Sequence, residues 1–449
     1  MYAALNDVTI REAVYLWTSS LTVATEKYGH IRTWDTSLVT NFAYLFANRP
    51  NFNDDLSLWD TRQVTNMDFV FYSASSFNSN LSLWKTSKVT EMIGTFWGAS
   101  IFNGDISSWD THQVLDMRAM FRDATSFNGD LSQWDTSRVL NMTGMFSGAT
   151  LFNSDLSKWK MSSVTDLYGM FSDAQSFNSN LASWNTSSVT NMRWLFIGAA
   201  SFKADLSSWN TARVTDMYGM FDNATSFNAN LSSWDTSRVS DMSGMFAHSF
   251  FNGNISSWNT SQVTSLRWTF YLARSFNGDL SRWDVSRVES MYRTFANAES
   301  FNSNLSTWKT SKLTDMWQTF MQATKFDGNL SSWDTSNVTN MRSLFLGAAS
   351  FNGDVASWNT SSVTDMGTVF YDAQSFNGDL SSWDTSRVNY MYAMFALASS
   401  FNSDLSSWNV SAVTDTSEML RGASSFNGDV SFWDTSRVTN MRNMFDGAS

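Results

Sequence analysis

Apolar residues return along this chain at fixed offsets. In the stretch from Phe127 they are Phe127, Leu131, Trp134, Val139, Met142, Phe146 and Ala149, and the same seven columns resume at Phe152 after 25 residues. The Trp column alone has seventeen members, from Trp34, Trp59 and Trp84 to Trp433. Only one step is short: near Phe246-Ala247-His248-Ser249 a residue is missing, so Trp234 is followed by Trp258. A constant period of this length marks a stack of repeats that bury one continuous core.

The two halves of a copy carry different patterns. Met142, Met145, Phe146 and Ala149 fall at i, i+3, i+4 and i+7, the face of a short helix. Thr before the Asn or Asp, as at Thr65, Thr165 and Thr215, is placed to cap it. The other half, Asp-Leu-Ser-x-Trp-Asp-Thr, is polar between its apolar anchors and has the length of one short strand. Phe-Asn-Gly-Asp reads as a turn. The pattern therefore predicts an α/β repeat solenoid, a leucine-rich-repeat-like coil with one short parallel β-strand and one short helix per 25-residue copy.

Residues Met1 to about His30 do not fit the period. Ile10, Ala13, Val14, Trp17 and Leu21 have helical spacing, which predicts an amphipathic helix over Val8 to Ala24, with Asn6 or Asp7 as cap. Residues 1–30 are thus expected to be an N-terminal cap, and 31–449 a single solenoid domain of about seventeen repeats. The one proline, Pro50, precedes Phe52, and no Pro or Gly-Ser linker interrupts the array after it.

The wording of the repeat, F-N-x-D-L-S-x-W-D-T-S-x-V-T-x-M-x-x-M-F-x-x-A, resembles that of the BspA-like leucine-rich-repeat surface proteins. The match covers about Ile31 to Ser449, and the lead-in Tyr28-Gly29-His30-Ile31 before Trp34-Asp35-Thr36-Ser37 is similar too. The resemblance implies display on a cell surface or secretion, adhesion, and binding of an extracellular protein or glycan. It implies no catalytic residue.

Composition narrows the remaining choices. The formal charge of -12, from 41 acidic against 29 basic residues, disfavours nucleic acid, whose phosphates call for a basic stripe. No cysteine is present, which excludes disulfides and thiolate metal sites. There is no run of eighteen apolar residues to span a membrane. The start MYAALNDVTIREAV has no basic and apolar leader pattern; any signal or anchor segment is expected outside these residues. His30, His112 and His248 are the only histidines and sit in unrelated registers. No catalytic set stands out from the repeat, so a non-enzymatic protein without cofactor is expected.

Several columns admit two readings. The Trp row can be core or a sugar-stacking strip. The Asn after the first Phe (Asn53, Asn78, Asn103) can bond the next coil, or with the Asp two residues on it can offer oxygen to calcium between coils. The residues flanking Trp are the candidate ligand-binding positions of a concave strand face: Leu58, Asp60, Leu83, Lys85, Asp110, Gln133, Asp135, Lys158, Lys160, Arg282, Lys309 and Phe432. The alternative there is a merely solvated surface. Large side chains after the Met, namely Trp194, Trp268, Tyr292, Trp317 and Tyr392, form a candidate helix-side contact patch, since Trp and Tyr are enriched in binding hot spots.

Adhesion or ligand binding along an extended face is the leading functional expectation. A self-associating structural protein, forming a filament or layer by end-to-end stacking, is the second. Ice or crystalline-surface binding is the third, on the evenly spaced row Thr36, Thr61, Thr86, Thr111 and Thr136.

Overall fold

The computed structural model describes residues 2–448. Among these residues the only helices lie ahead of Trp34, the first member of the Trp column. They are α1 (Thr9–Ser19), α2 (Leu21–Tyr28) and a 3-10 turn at Ile31–Thr33. The single expected helix is broken at Ser20, which is extended (φ -153, ψ 81). Just before the break the hydroxyls of Thr18 and Ser19 donate to the carbonyls of Val14 and Tyr15, a local competition that weakens a helix end. Asn6 caps α1, its Oδ1 accepting from the Val8 and Thr9 amides. Asp7 does something else: it accepts from the Thr40 and Asn41 amides of the first coil. In later coils the amide in Thr40's place donates to a carbonyl of the coil before, as Thr65 does to Thr40. The Asp7 carboxylate replaces that missing carbonyl.

The chain divides into two compact units, residues 1–214 with 223–227, and residues 215–222 with 228–449. Each is a stack of coils of one kind, and neither matches the expected α/β coil. Among the described residues no repeat contains an α-helix, and there is no extended strand. The parallel pairing is reduced to isolated single-residue bridges at the position before the Met, such as Asn66 to Glu91, Glu91 to Asp116 and Asp116 to Asn141 in the first unit, and Asp315 to Asn340 in the second.

The reason lies in the four-residue period of Met142 to Ala149. The amides of Met145, Ser147 and Ala149 donate three residues back, to Met142, Gly144 and Phe146, at 3.0–3.1 Å. The amides between them, on Gly144, Phe146 and Gly148, donate to Tyr168, Met170 and Ser172 of the next coil at 2.7–2.9 Å. Gly144 and Gly148 are left-handed (φ 61 and 71). A residue at positive φ every fourth position ends each turn before an α-helical bond can form and aims the next amide at the neighbouring coil. The result is a ribbon of tight turns. Its apolar spacing is the same as a helix face, which is why the pattern reads as one.

The expected strand is also a run of turns. The Trp134 amide donates to the Leu131 carbonyl and the Val139 amide to Thr136. Asp130 and Asp135 each accept, through Oδ1, the amide two residues on, from Ser132 and Ser137. Such side-chain turns curl the backbone out of the extended conformation. Nor do Thr65, Thr165 and Thr215 cap helices. It is the next residue that makes a local turn, as Asn66 Oδ1 does for the Asp68 amide.

The seven apolar columns point inward until the last coil, where Met441 and Phe445 are exposed, and in the copy from Phe127 only Trp134 has measurable exposure, 3%. Two phenylalanine columns stack within and between coils: Phe146 lies 3.8 Å from Phe152 and 5.7 Å from Phe171 by ring centroids. The Trp row is core and not a sugar strip. The indoles are buried; Trp34 donates to the Gly29 carbonyl, and later ones donate to the Leu-column carbonyl of the preceding coil, as Trp159 does to Leu131 at 3.1 Å. The short copy keeps this stacking. Its buried Ser249 hydroxyl donates to the Phe246 carbonyl and accepts the Phe251 amide, replacing the backbone turn that the deletion removes. Phe246 and Phe251 remain 3.9 Å apart.

Candidate functional site

Most polar columns are occupied with building the coil. The Asn after the first Phe accepts the amide of its counterpart one coil on, as from Asn128 to Asn103 at 2.9 Å. Asp327 does the same for Asn352, because a carboxylate oxygen accepts as well as an amide oxygen. The free exchange of Asp and Asn at the turn positions has the same origin: Asn80 serves Ser82 as Asp130 serves Ser132. These oxygens face backbone amides. Among the described residues no three His, Cys, Asp or Glu side chains group to hold an ion. The Thr row is buried, each hydroxyl donating to a carbonyl of the next coil, Thr36 to Asp60 and Thr111 to Asp135. It presents no ladder to a crystal face.

With no strand, the residues flanking Trp lie on turns and not on a sheet. Asp60, Asp110 and Asp135 accept the amides of Arg62, His112 and Ser137. Asp60 is held below the usual carboxylate range by the Arg62 side chain above all, and Asp135 chiefly by the Ser137 amide. Lys85 and Lys160 cannot accept, and their own amides donate to the hydroxyls of Thr61 and Thr136. Lys160 reaches back to Asp135 at 3.6 Å. Arg282 and Lys309 share a shallow pocket with Asp284 in the second unit. Leu58, Leu83 and Phe432 are exposed, as are Gln133 and Lys158. These positions form scattered pairs.

The large side chains after the Met lie on the ribbon, not on a helix. In the second unit Tyr292 is nearly buried (9% exposed), with Trp268 at 5.3 Å and Trp317 at 4.8 Å. The Arg267 guanidinium covers both Trp268 and Tyr292, and Arg293 covers Tyr271 and Tyr292, at 5.1–5.5 Å. This is a packed cation–π cluster. Tyr392 stands apart from it, 39% exposed.

In the first unit these two columns, with the two that lie four residues further on, make a groove of about 630 Å³. Phe69 and Trp97 border one end and Tyr168 with Trp194 the other, these two at 5.3 Å. Gly144 and Gly169 form the floor between them. Trp97 is oriented by Tyr72 at 5.3 Å, by the Arg122 guanidinium over its ring at 4.9 Å, and by its Nε1 donating to Asp123. Of this group, side-chain type in the sequence points to Tyr168 and Trp194, the large residues just after Leu167 and Met192. The signal for the rest is the alignment of the left-handed column: Phe69, Gly94, Ala119, Gly144, Gly169 and Trp194 occupy one register, all with positive φ. A second cavity, about 420 Å³, lies between the helices and the first coil, lined by Trp17, Arg49, Pro50 and Asp54.

The chain matches the model of the family described as Mycoplasma protein of unknown function, DUF285, in six overlapping stretches: 18–132, 100–209, 176–266, 247–357, 289–399 and 351–449. No curated protein matches it. No helix among the described residues is long and apolar enough to cross a membrane.

Proposed function

The chain belongs to the DUF285 family, whose model matches it from residue 18 to 449, and we propose that this repeat protein is a non-catalytic binding protein. It is displayed at a cell surface or secreted, and adheres to an extracellular protein or glycan through the outward columns of its ribbon. One observation carries the reading. In the coils before the last, the inward side chains, the Asn and Asp turns and the ribbon amides are engaged in building the stack. The two columns after the Met are left to vary, and they hold clustered Trp, Tyr and Arg, the residue types that dominate binding hot spots. A face repeated along many coils suits adhesion by numerous weak contacts acting together. The resemblance of the repeat wording to BspA-like surface proteins supports surface display.

The test is binding to arrays of extracellular-matrix proteins and glycans, with wild type beside Trp97→Ala, Tyr168→Ala and Trp268→Ala. Signal that falls in at least one of these variants is expected. Uniformly blank arrays, or signal that none of the substitutions moves, would turn the reading towards a structural role.

A further inference from the structure

We propose that the groove floored by Gly144 and Gly169 is a binding site for an uncharged oligosaccharide, an inference that rests on the binding reading above. Its shape comes from missing side chains and not from a different backbone. Gly144 and Gly169 have φ of 61 and 56; Trp194 and Trp268, in the same register, have 56 and 55. A Cβ on Gly144 or Gly169 would meet only a serine Cβ, at 3.9 and 3.8 Å. Nothing fills the space these two residues leave. The groove's volume, about 630 Å³, is that of a small-ligand site.

The walls point to sugar. Trp97 at one end and Tyr168 at the other offer half-buried rings already fixed by neighbours, Trp97 by Arg122 and Asp123 and Tyr168 by Trp194. Between them lie the hydroxyls of Ser147 and Ser172 and the carboxylate of Asp173. A ligand that fits has flat apolar C–H faces and a hydroxyl rim, which is the chemistry of a pyranose. The charges favour a neutral one. The groove's guanidiniums already have carboxylate partners, Arg118 with Asp116 at 2.8 Å and Arg122 with Asp123 at 3.7 Å. The register from Phe69 to Trp194 crosses five coil steps, roughly 24 Å at the spacing of paired backbones, so the site suits several linked sugars. A peptide fits less well. The ribbon amides that an added strand would use are taken by the next coil, as Gly144 by Tyr168 and Gly148 by Ser172.

The experiment is titration of the whole chain with cellotetraose, maltotetraose, mannotetraose and N-acetylchitotetraose, followed by calorimetry and saturation-transfer NMR. At least one is expected to bind at a single site. Gly144→Trp, which places in the floor the side chain that this register already carries at Trp194 and Trp268, is expected to weaken binding by about tenfold or more. Tyr168→Ala, which touches no core column, serves as the second variant and is expected to weaken it likewise. Tyr15→Ala, on the exposed side of α1 and away from every outward column, should leave it unchanged. The proposal is overturned if none of the four binds, or if binding survives both Gly144→Trp and Tyr168→Ala. Matrix proteins held through the outward columns with no sugar bound would sink this inference alone. Blank results in both experiments would remove the binding reading as well.

Discussion

The groove of the first unit and the aromatic–arginine cluster of the second are built on one backbone. Gly144 and Gly169 in the groove, Trp268 and Arg293 in the cluster, all sit at φ between 54 and 61. Below them the cores match closely. Phe146 stacks 3.8 Å from Phe152 and Phe295 4.0 Å from Phe301, and Phe–Trp contacts are 6.1 and 6.2 Å. Only the outward columns differ, glycine leaving a trough in one place and Trp, Tyr and Arg closing the surface in the other. The scaffold and what it displays are therefore separable. The left-handed position holds Gly, Ala, Phe, Trp or Arg in different coils, because its amides are held by the next coil whichever of these is there.

The largest test of that separation is in the core. Phe146→Ala and Phe295→Ala should each destabilise their unit by about 3–5 kcal/mol, read from denaturant unfolding with hydrogen exchange to locate the loss. Equal losses are expected. A difference of more than about 2 kcal/mol, beyond the usual scatter at one chemistry, would break the claim that the two interiors are alike. The next test divides the surfaces. Tyr292→Ala removes the ring at the centre of four side-chain contacts and should cost about 2 kcal/mol. Tyr168→Ala, with Trp194 beside it at 5.3 Å, should cost less than about 1 kcal/mol. The reverse order would mean that the groove wall is structural and not displayed.

The core and the ribbon also differ in how far the amino-acid sequence reveals them. The seven core columns, the Asn ladder and the harmless deletion near His248 are legible in it, because burial and stacking repeat with the sequence. The secondary structure is not. Spacing of i, i+3, i+4 and i+7 is shared by a helix and by a ribbon of four-residue turns, and the apolar pattern does not choose between them. The glycines do carry the distinction. Gly94, Gly144, Gly169, Gly219 and Gly244 fall in one column and Gly98, Gly148 and Gly198 four residues later, where a helix interior would disfavour them by about 1 kcal/mol each. Two glycine-rich columns four residues apart are the mark of recurrent positive φ. The groove is hidden for a further reason. It exists only where aromatic and glycine members of that column align across neighbouring coils.

The left-handed column gives the third test. Gly144→Ala should destabilise by about 1 kcal/mol, the penalty of a Cβ at positive φ, although its space is open. Trp268→Gly should relieve the same strain while losing ring contacts with Tyr292 and Arg267, so its net effect should lie within about 1 kcal/mol of zero. Thermal unfolding of the two variants would check this. If Gly144→Ala were as damaging as Phe146→Ala, the column would not be free to vary.

The smallest expected effect is electrostatic, and it separates the two regions by sign. Both share turn aspartates held below the ordinary value of 3.8, Asp135 by the Ser137 amide first and Asp284 by the Ser286 side chain first. A depressed carboxylate adds stability that is present above 3.8 and lost as the pH falls through its lower folded value. Next to the groove the sign is opposite. Burial is the leading cause that raises Asp68 and Glu91, with the charges of Asp68 and Asp116 contributing for Glu91. Such a group favours the fold below its unfolded value, 4.5 for Glu91, and that contribution is lost as the pH rises through the raised folded value. In the second unit the Glu91 register is held by Asp, Ser, Asn and Tyr residues, from Asp216 and Asp241 through Ser265 to Tyr390 and Asn440, none of them a glutamate. Glu91→Gln should therefore stabilise the first unit at pH 7 by less than about 1 kcal/mol, since the group is largely solvated. The gain should vanish below pH 4.5, the ordinary glutamate value, and hydrogen exchange in the second unit should not change at either pH. A gain that persisted in acid would point to packing around residue 91 and not to its charge.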